Sequence, residues 1–226
     1  MMTIAENVRA VREKMAAAAA RAGADEKSIM LVAATKTNPA ERVREAVAAG
    51  IDASGENRVQ EMLEKLGQDA YVGAPLHFIG QLQRNKVKYV VGAVDLIQSV
   101  GSRELLSDVA ARAAKLGLKQ DVLIEINVGR EESKGGILPE ELDELAAFAG
   151  GLGSVRIRGL MAIPPITEKT TYFEQMFNFF VDIKQKRYDN VSMDFLSMGM
   201  SADFPAAIEC GANMVRVGSA IFGPRS

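Results

Sequence analysis

Lys36 is the first residue whose surroundings suggest chemistry. It sits in LVAATKTNP (31–39), where an apolar run stops at Thr35-Lys36-Thr37-Asn38-Pro39. A lysine at the lip of a buried strand is a solvated loop residue, an ion-pair partner or a nucleophilic amine. The amine reading needs a neutral Nζ, and so burial or neighbouring positive charge. Its stem follows apolar residues, and Arg58 and Arg216 are available as cations. Two other stretches, SMGMSADF (197–204) and VRVGSAIFG (215–223), combine glycine and serine where a strand gives way to a helix. Backbone amides and the helix dipole attract anions at such junctions. Glycine lets the backbone approach, and a serine hydroxyl adds a donor. The plainer reading makes Ser201 and Ser219 helix caps.

A phosphate site beside an imine-forming lysine suits two ligands: pyridoxal 5'-phosphate, or the sugar phosphate of a Schiff-base aldolase. The first needs a group that tunes its ring nitrogen. Arg216 lies two residues before Gly218, so strand alternation sends both to one face. A guanidinium there keeps the ring nitrogen unprotonated, since it cannot give up its proton.

The elements that must position these residues are legible as alternation. Strand patterns occur at 29–34, 51–54, 76–80, 94–99, 122–128, 156–162, 193–198 and 213–218, with 51–54 the weakest. Helical patterns separate them, several opening on Ser, Pro or an acid and stopping at Gly. An amphipathic helix carrying Ile4, Val8, Val11 and Met15 precedes them and ends near Gly23. Helical crossovers imply parallel strands. Eight such units predict an α/β fold, a single (β/α)8 TIM barrel with an additional N-terminal helix, over one domain spanning 1–226. A doubly wound open sheet is the competing architecture. In a barrel, chemistry belongs at the carboxyl ends of strands, with phosphate commonly after strands seven and eight. Lys36, Ser201, Gly218 and Ser219 all fall there.

Composition narrows the classes. Apolar residues are 48%, charged residues 25% and the net charge −2, with no basic excess to recruit nucleic acid. One cysteine, Cys210, and one histidine, His77, exclude an internal disulfide and multi-Cys or multi-His metal sites. The N-terminal segment reads neither as a signal peptide nor as a membrane span, so the cytoplasm is the expected location.

The motifs ATKTNP, GENRVQE, HFIGQLQRNK, RGLMAIPP, LSMGMSADFPAAI and VRVGSAIFG, in this order over almost the whole chain, resemble the pyridoxal phosphate homeostasis protein family. These proteins look like the N-terminal barrel of alanine racemase without its C-terminal β domain. The resemblance implies that Lys36 carries pyridoxal phosphate as an internal aldimine. It further implies that Ser201, Gly218 and Ser219 hold the phosphate and that Arg216 meets the pyridine nitrogen. Asn57 and His77 match family motifs and are implied in the ring's surroundings, and Met200 is expected to pack around the cofactor. Two departures are Leu76, where the family commonly has tryptophan, and Thr35, where a serine often precedes the lysine.

Cofactor binding alone does not establish catalysis. Racemisation usually needs an acid/base on each face of the ring, and the four tyrosines fall in loop or helix patterns rather than at strand ends. The reading favoured is a monomeric carrier that limits free pyridoxal phosphate and delivers it to client enzymes. The alternatives are a pyridoxal phosphate-dependent amino-acid racemase and a Schiff-base aldolase. Glu56 is expected as a first-turn acid favouring a helix dipole, and Lys134 as a solvated loop residue.

Overall fold

A computed structural model describes residues 2–165, 167 and 169–223. The eight strands are β1 Met30–Ala34, β2 Ala53–Glu56, β3 Leu76–Phe78, β4 Leu96–Val100, β5 Gln120–Glu125, β6 Val155–Met161, β7 Val191–Ser197 and β8 Met214–Val217. They are hydrogen-bonded in sequence order and close into a parallel barrel, as expected, with β8 returning to β1. The helices between and around them are α1 Ile4–Ala22, α2 Ala40–Ala48, α3 Val59–Leu66, α4 Val87–Val90, α5 Arg103–Lys115, α6 Leu142–Gly150, α7 Lys169–Lys186, α8 Phe204–Glu209 and α9 Ser219–Phe222. Among the described residues no helix is long and apolar enough to cross a membrane. Contacts divide the chain into two compact units, 1–77 with 198–226, and 78–197.

In the first unit, α1 starts at a reciprocal cap. Thr3 Oγ1 accepts the Glu6 amide at 3.2 Å and Glu6 Oε2 accepts the Thr3 amide at 2.7 Å, which satisfies two donors that a helix start leaves orphaned. Its buried stripe of Ile4, Val8, Val11 and Met15 packs with Leu31 and Ala33 of β1, Val215 and Val217 of β8, and Phe204, Ile208 and Ile221. Fully burying each such Val, Leu or Ile side chain favours the fold by about 1.5–3 kcal/mol. Because strand side chains alternate, the same packing turns Val32 and Arg216 to the opposite face. These two are register partners across β1 and β8.

In the second unit, β5, β6 and β7 carry a ladder of charge. Asp121 accepts from Arg156 and Arg158, and Arg158 also reaches Asp194. Gly159 in β6 has φ 151°, and a Cβ there would lie 1.8 Å from the Phe195 carbonyl oxygen. The close approach of β6 to β7 depends on that missing atom.

The strand boundaries shift by one to three residues from the sequence reading, and three differences, one of them in a helical pattern, have a visible physical reason. β2 runs over 53–56, not 51–54, because the Asp52 side chain leaves the strand pattern: its Oδ2 accepts the Leu31 amide at 2.6 Å and its Oδ1 pairs with Arg12 at 2.8 Å. β5 stops at Glu125, and Ile126 instead forms a single bridge to Ile137 as the chain turns into the loop. The helical pattern at 83–92 resolves into a 3-10 turn over 84–86 and one α turn, ended where Val91 becomes extended.

Candidate functional site

The end of β1, the loop after β7 and the β8–α9 turn line a cavity of about 460 Å³. Its wall includes Lys36, Met200, Ser201, Arg216, Gly218 and Ser219. Six residues singled out from sequence are thus gathered around one space. Asn57 and His77 lie outside this lining. His77 is buried on β3. Asn57 follows β2, and its Oδ1 is buried with no hydrogen-bond partner among the described residues.

The loop after β7 is built by backbone bonds. The Met198 amide donates to the Met214 carbonyl at 3.2 Å, and the Arg216 amide to the Gly199 carbonyl at 3.0 Å. Gly199 has φ 91°, and a Cβ on it would come within 2.6 Å of the Ala207 Cβ. Only glycine lets the loop fold this closely over α8. The Met200 amide then donates to Asp203 Oδ1 at 2.6 Å, and the Met200 side chain lies at the exposed rim.

Ser201 comes next, and its hydroxyl oxygen accepts the Gly218 amide at 3.1 Å and the Ala220 amide at 3.3 Å. Two backbone donors therefore converge on one serine at the edge of the cavity. A Cβ on Gly218 would lie 3.4 Å from both the Cβ and the carbonyl oxygen of Ala34. This turn thus sits directly on the strand that leads to Lys36. Arg216 is almost completely buried in the same wall.

Sequence reasoning missed Arg42, which also lines the cavity. It lies in the first turn of α2, immediately beyond TKTNP. Its guanidinium donates to the Phe222 carbonyl at 2.5 Å and stands 5.7 Å from that ring's centroid. The described lining therefore brings together three cationic side chains, Lys36, Arg42 and Arg216, and no carboxylate.

Behind Lys36 lies a second group that sequence reasoning did not assemble. Glu56, expected as a first-turn acid favouring a helix dipole, is instead the fully buried last residue of β2. Its Oε1 accepts from Thr35 Oγ1 at 2.6 Å, Lys65 Nζ at 2.7 Å and Tyr71 Oη at 3.0 Å. Burial, reinforced by the charge of Glu56 and the hydrogen bond to it, pushes the Tyr71 phenol far above the ordinary tyrosine value. The phenol is therefore a donor in this cluster throughout the physiological range. The available signal was spacing: Lys65 is three residues from the fully buried Met62, on the same helix face.

The family described as alanine racemase, N-terminal domain, matches residues 3–226. The pyridoxal phosphate homeostasis protein of Aquifex aeolicus is 44% identical over 227 residues, covering 99% of this chain and 99% of that protein. The protein of the same description from Escherichia coli K12 is 43% identical over 235 residues, covering 100% of this chain and 98% of its own length. The structure of PipY from Synechococcus elongatus with PLP bound is similar with a TM-score of 0.85 at 32% identity, over 98% of this chain and 100% of that one. With these matches running end to end, the chain belongs to the alanine racemase N-terminal domain family, among the pyridoxal phosphate homeostasis proteins.

Proposed function

We propose that this chain binds pyridoxal 5'-phosphate in the cavity beside Lys36 and serves as a cytoplasmic carrier in vitamin B6 homeostasis, delivering the cofactor to client enzymes. The observation that carries this reading is the lining: three cations and no carboxylate among its described residues, with two backbone amides drawn together by Ser201 at one edge. A volume of about 460 Å³ falls within the range of small-molecule sites. The donor set suits a phosphorylated aromatic aldehyde. Bound there, the group supplies an electrophilic carbonyl carbon conjugated to a pyridine ring.

The residues divide the work by chemistry. Lys36 offers the primary amine that condenses with an aldehyde, with release of water. Ser201 and Ser219 offer hydroxyl donors to a phosphate, Gly218, whose amide Ser201 takes up, lets the group approach the backbone, and Arg42 adds charge on the same wall. Arg216, fixed as a cation, offers hydrogen bonds to a ring nitrogen without ceding a proton. Asn57, whose Oδ1 has no partner among the described residues, and His77 are assigned to the ring's wider surroundings.

The test is an absorbance titration of the purified chain with pyridoxal phosphate, followed by borohydride reduction and peptide mapping. The expected result is a yellow protein that becomes labelled at Lys36, with Lys36→Ala losing both colour and label. A label on another lysine, or no colour in the unaltered chain, overturns the reading. The carrier role predicts slow exchange of amino-acid Cα protons in deuterated water, and exchange at enzyme-like rates would replace it with a racemase.

A further inference from the structure

Both peptide groups flanking Lys36 are held from α3. Lys65 Nζ donates to the Thr35 carbonyl at 2.9 Å, and the Thr37 amide donates to Glu61 Oε1 at 2.5 Å. Glu61 Oε1 and Lys65 Nζ are themselves 2.6 Å apart, four residues apart on one helix face. The Lys36 carbonyl accepts from Thr37 Oγ1 at 2.7 Å and from Asn38 Nδ2 at 3.0 Å. Every backbone bond named here converges on one turn. Within it Thr37 has φ 63°, a left-handed conformation that is unfavourable for a β-branched residue. Such a conformation persists only where its surroundings over-determine it. The charge-assisted bond to Glu61 is one such restraint, and Glu61 is in turn fixed by Lys65, which the buried Glu56 anchors from the other side.

We propose that the Glu61–Lys65 pair is a clamp that fixes the backbone of Lys36 and so aims its amine into the cavity. Glu61 and Lys65 are then positioning residues, reaching the ligand only through Lys36. An amine presented from a rigid turn reaches its partner without first paying the entropy of ordering that turn. The clamp also explains a buried ammonium in α3, where an apolar residue would pack as well. This inference rests on the reading of the cavity as a pyridoxal phosphate site.

Glu61 is the residue to alter, because its side chain is 20% exposed and its removal leaves the Lys65–Glu56 pair in place. Glu61→Ala and Glu61→Gln are compared with the unaltered full chain by two readouts. In the unliganded protein, native-state hydrogen exchange at the Thr37 amide should quicken by roughly tenfold or more in Glu61→Ala, the loss of one charge-assisted bond, while amides within β1 keep their rates. Glu61→Gln retains an acceptor oxygen and should restore most of the protection. Titrated with pyridoxal phosphate, Glu61→Ala should bind roughly tenfold more weakly, with Glu61→Gln recovering most of the affinity. A merely structural role would quicken exchange throughout β1 and α3 alike. The clamp is overturned if Thr37 exchanges at its original rate in Glu61→Ala, or exchanges faster with affinity unchanged. Should the unaltered chain bind no pyridoxal phosphate, the reading of the cavity falls, and the exchange readout by itself decides whether the turn is clamped.

Discussion

Ser201 shows how much one side chain can do at a strand end. Its oxygen collects the Gly218 and Ala220 amides, so its own hydroxyl hydrogen remains to be donated outward. In Ser201→Ala the two amides lose their acceptor and the cavity loses a donor. Affinity for pyridoxal phosphate should fall roughly tenfold, as expected for a hydrogen bond to a charged group. Affinity for pyridoxal, which lacks the phosphate, should hardly change. Paired titrations with the two compounds check this, and an equal loss for both would remove Ser201 from the phosphate site. At this scale the sequence was informative about which residues share the cavity wall wherever polar residues fell on or just after a strand, as at Lys36, Ser201 and Arg216. It did not reveal that Glu56 and Lys65 are buried together. Glu56 read only as a first-turn acid favouring a helix dipole, and nothing in the local pattern marked Lys65. What buries them is contact across the fold: Thr35 from β1 and Tyr71 beyond α3 reach the same carboxylate oxygen.

The strand-and-helix rhythm was legible because hydrophobic period survives exposure and burial alike. Its edges were not, since polar side chains can take over backbone partners. Asp52 does this to β2 by accepting the Leu31 amide. In 83–92 the apolar spacing was real, but a 3-10 start and the extended Val91 shortened the helix to one turn. Elements also depend on atoms that are missing. Gly159 lets β6 run against β7, and any side chain would drive a Cβ into the Phe195 carbonyl at 1.8 Å. The backbone must move, and several ladder bonds move with it. Gly159→Ala should therefore destabilise the chain by about 3 kcal/mol or more, combining overpacking with a disfavoured φ. Urea unfolding measures the loss, and a change below about 0.5 kcal/mol, the scale of an innocuous surface substitution, would show that β6 and β7 separate easily.

For the molecule as a whole, the distribution of charge predicts a response to acid. Arg84 holds the Asp108 carboxyl below its ordinary value of 3.8, and Arg130 holds Glu140 below 4.5. Asp143 is lowered by Lys186 and then by Tyr188. At Asp194 burial pushes upward, but hydrogen bonds from Ser192 and Arg158, with the arginine charges, outweigh it and the value is lowered. Glu6 is lowered by the Thr3 amide in the α1 cap. In each case the unfolded chain takes up a proton before the folded chain does. Linkage then makes the contribution complete above the unfolded value and removes it as pH falls through the lowered folded one. The urea midpoint should therefore hold near neutral pH. It should begin to fall as pH drops below the ordinary glutamate value of 4.5 and continue falling below the aspartate value of 3.8. Salt separates the causes: at about 1 M the screening length shrinks to about 3 Å, which weakens charge attraction but leaves the hydrogen bonds of the Thr3 cap. The acid-induced drop should shrink in high salt without vanishing. A midpoint that stays level or rises on acidification would mean that these pairs form equally in the unfolded chain.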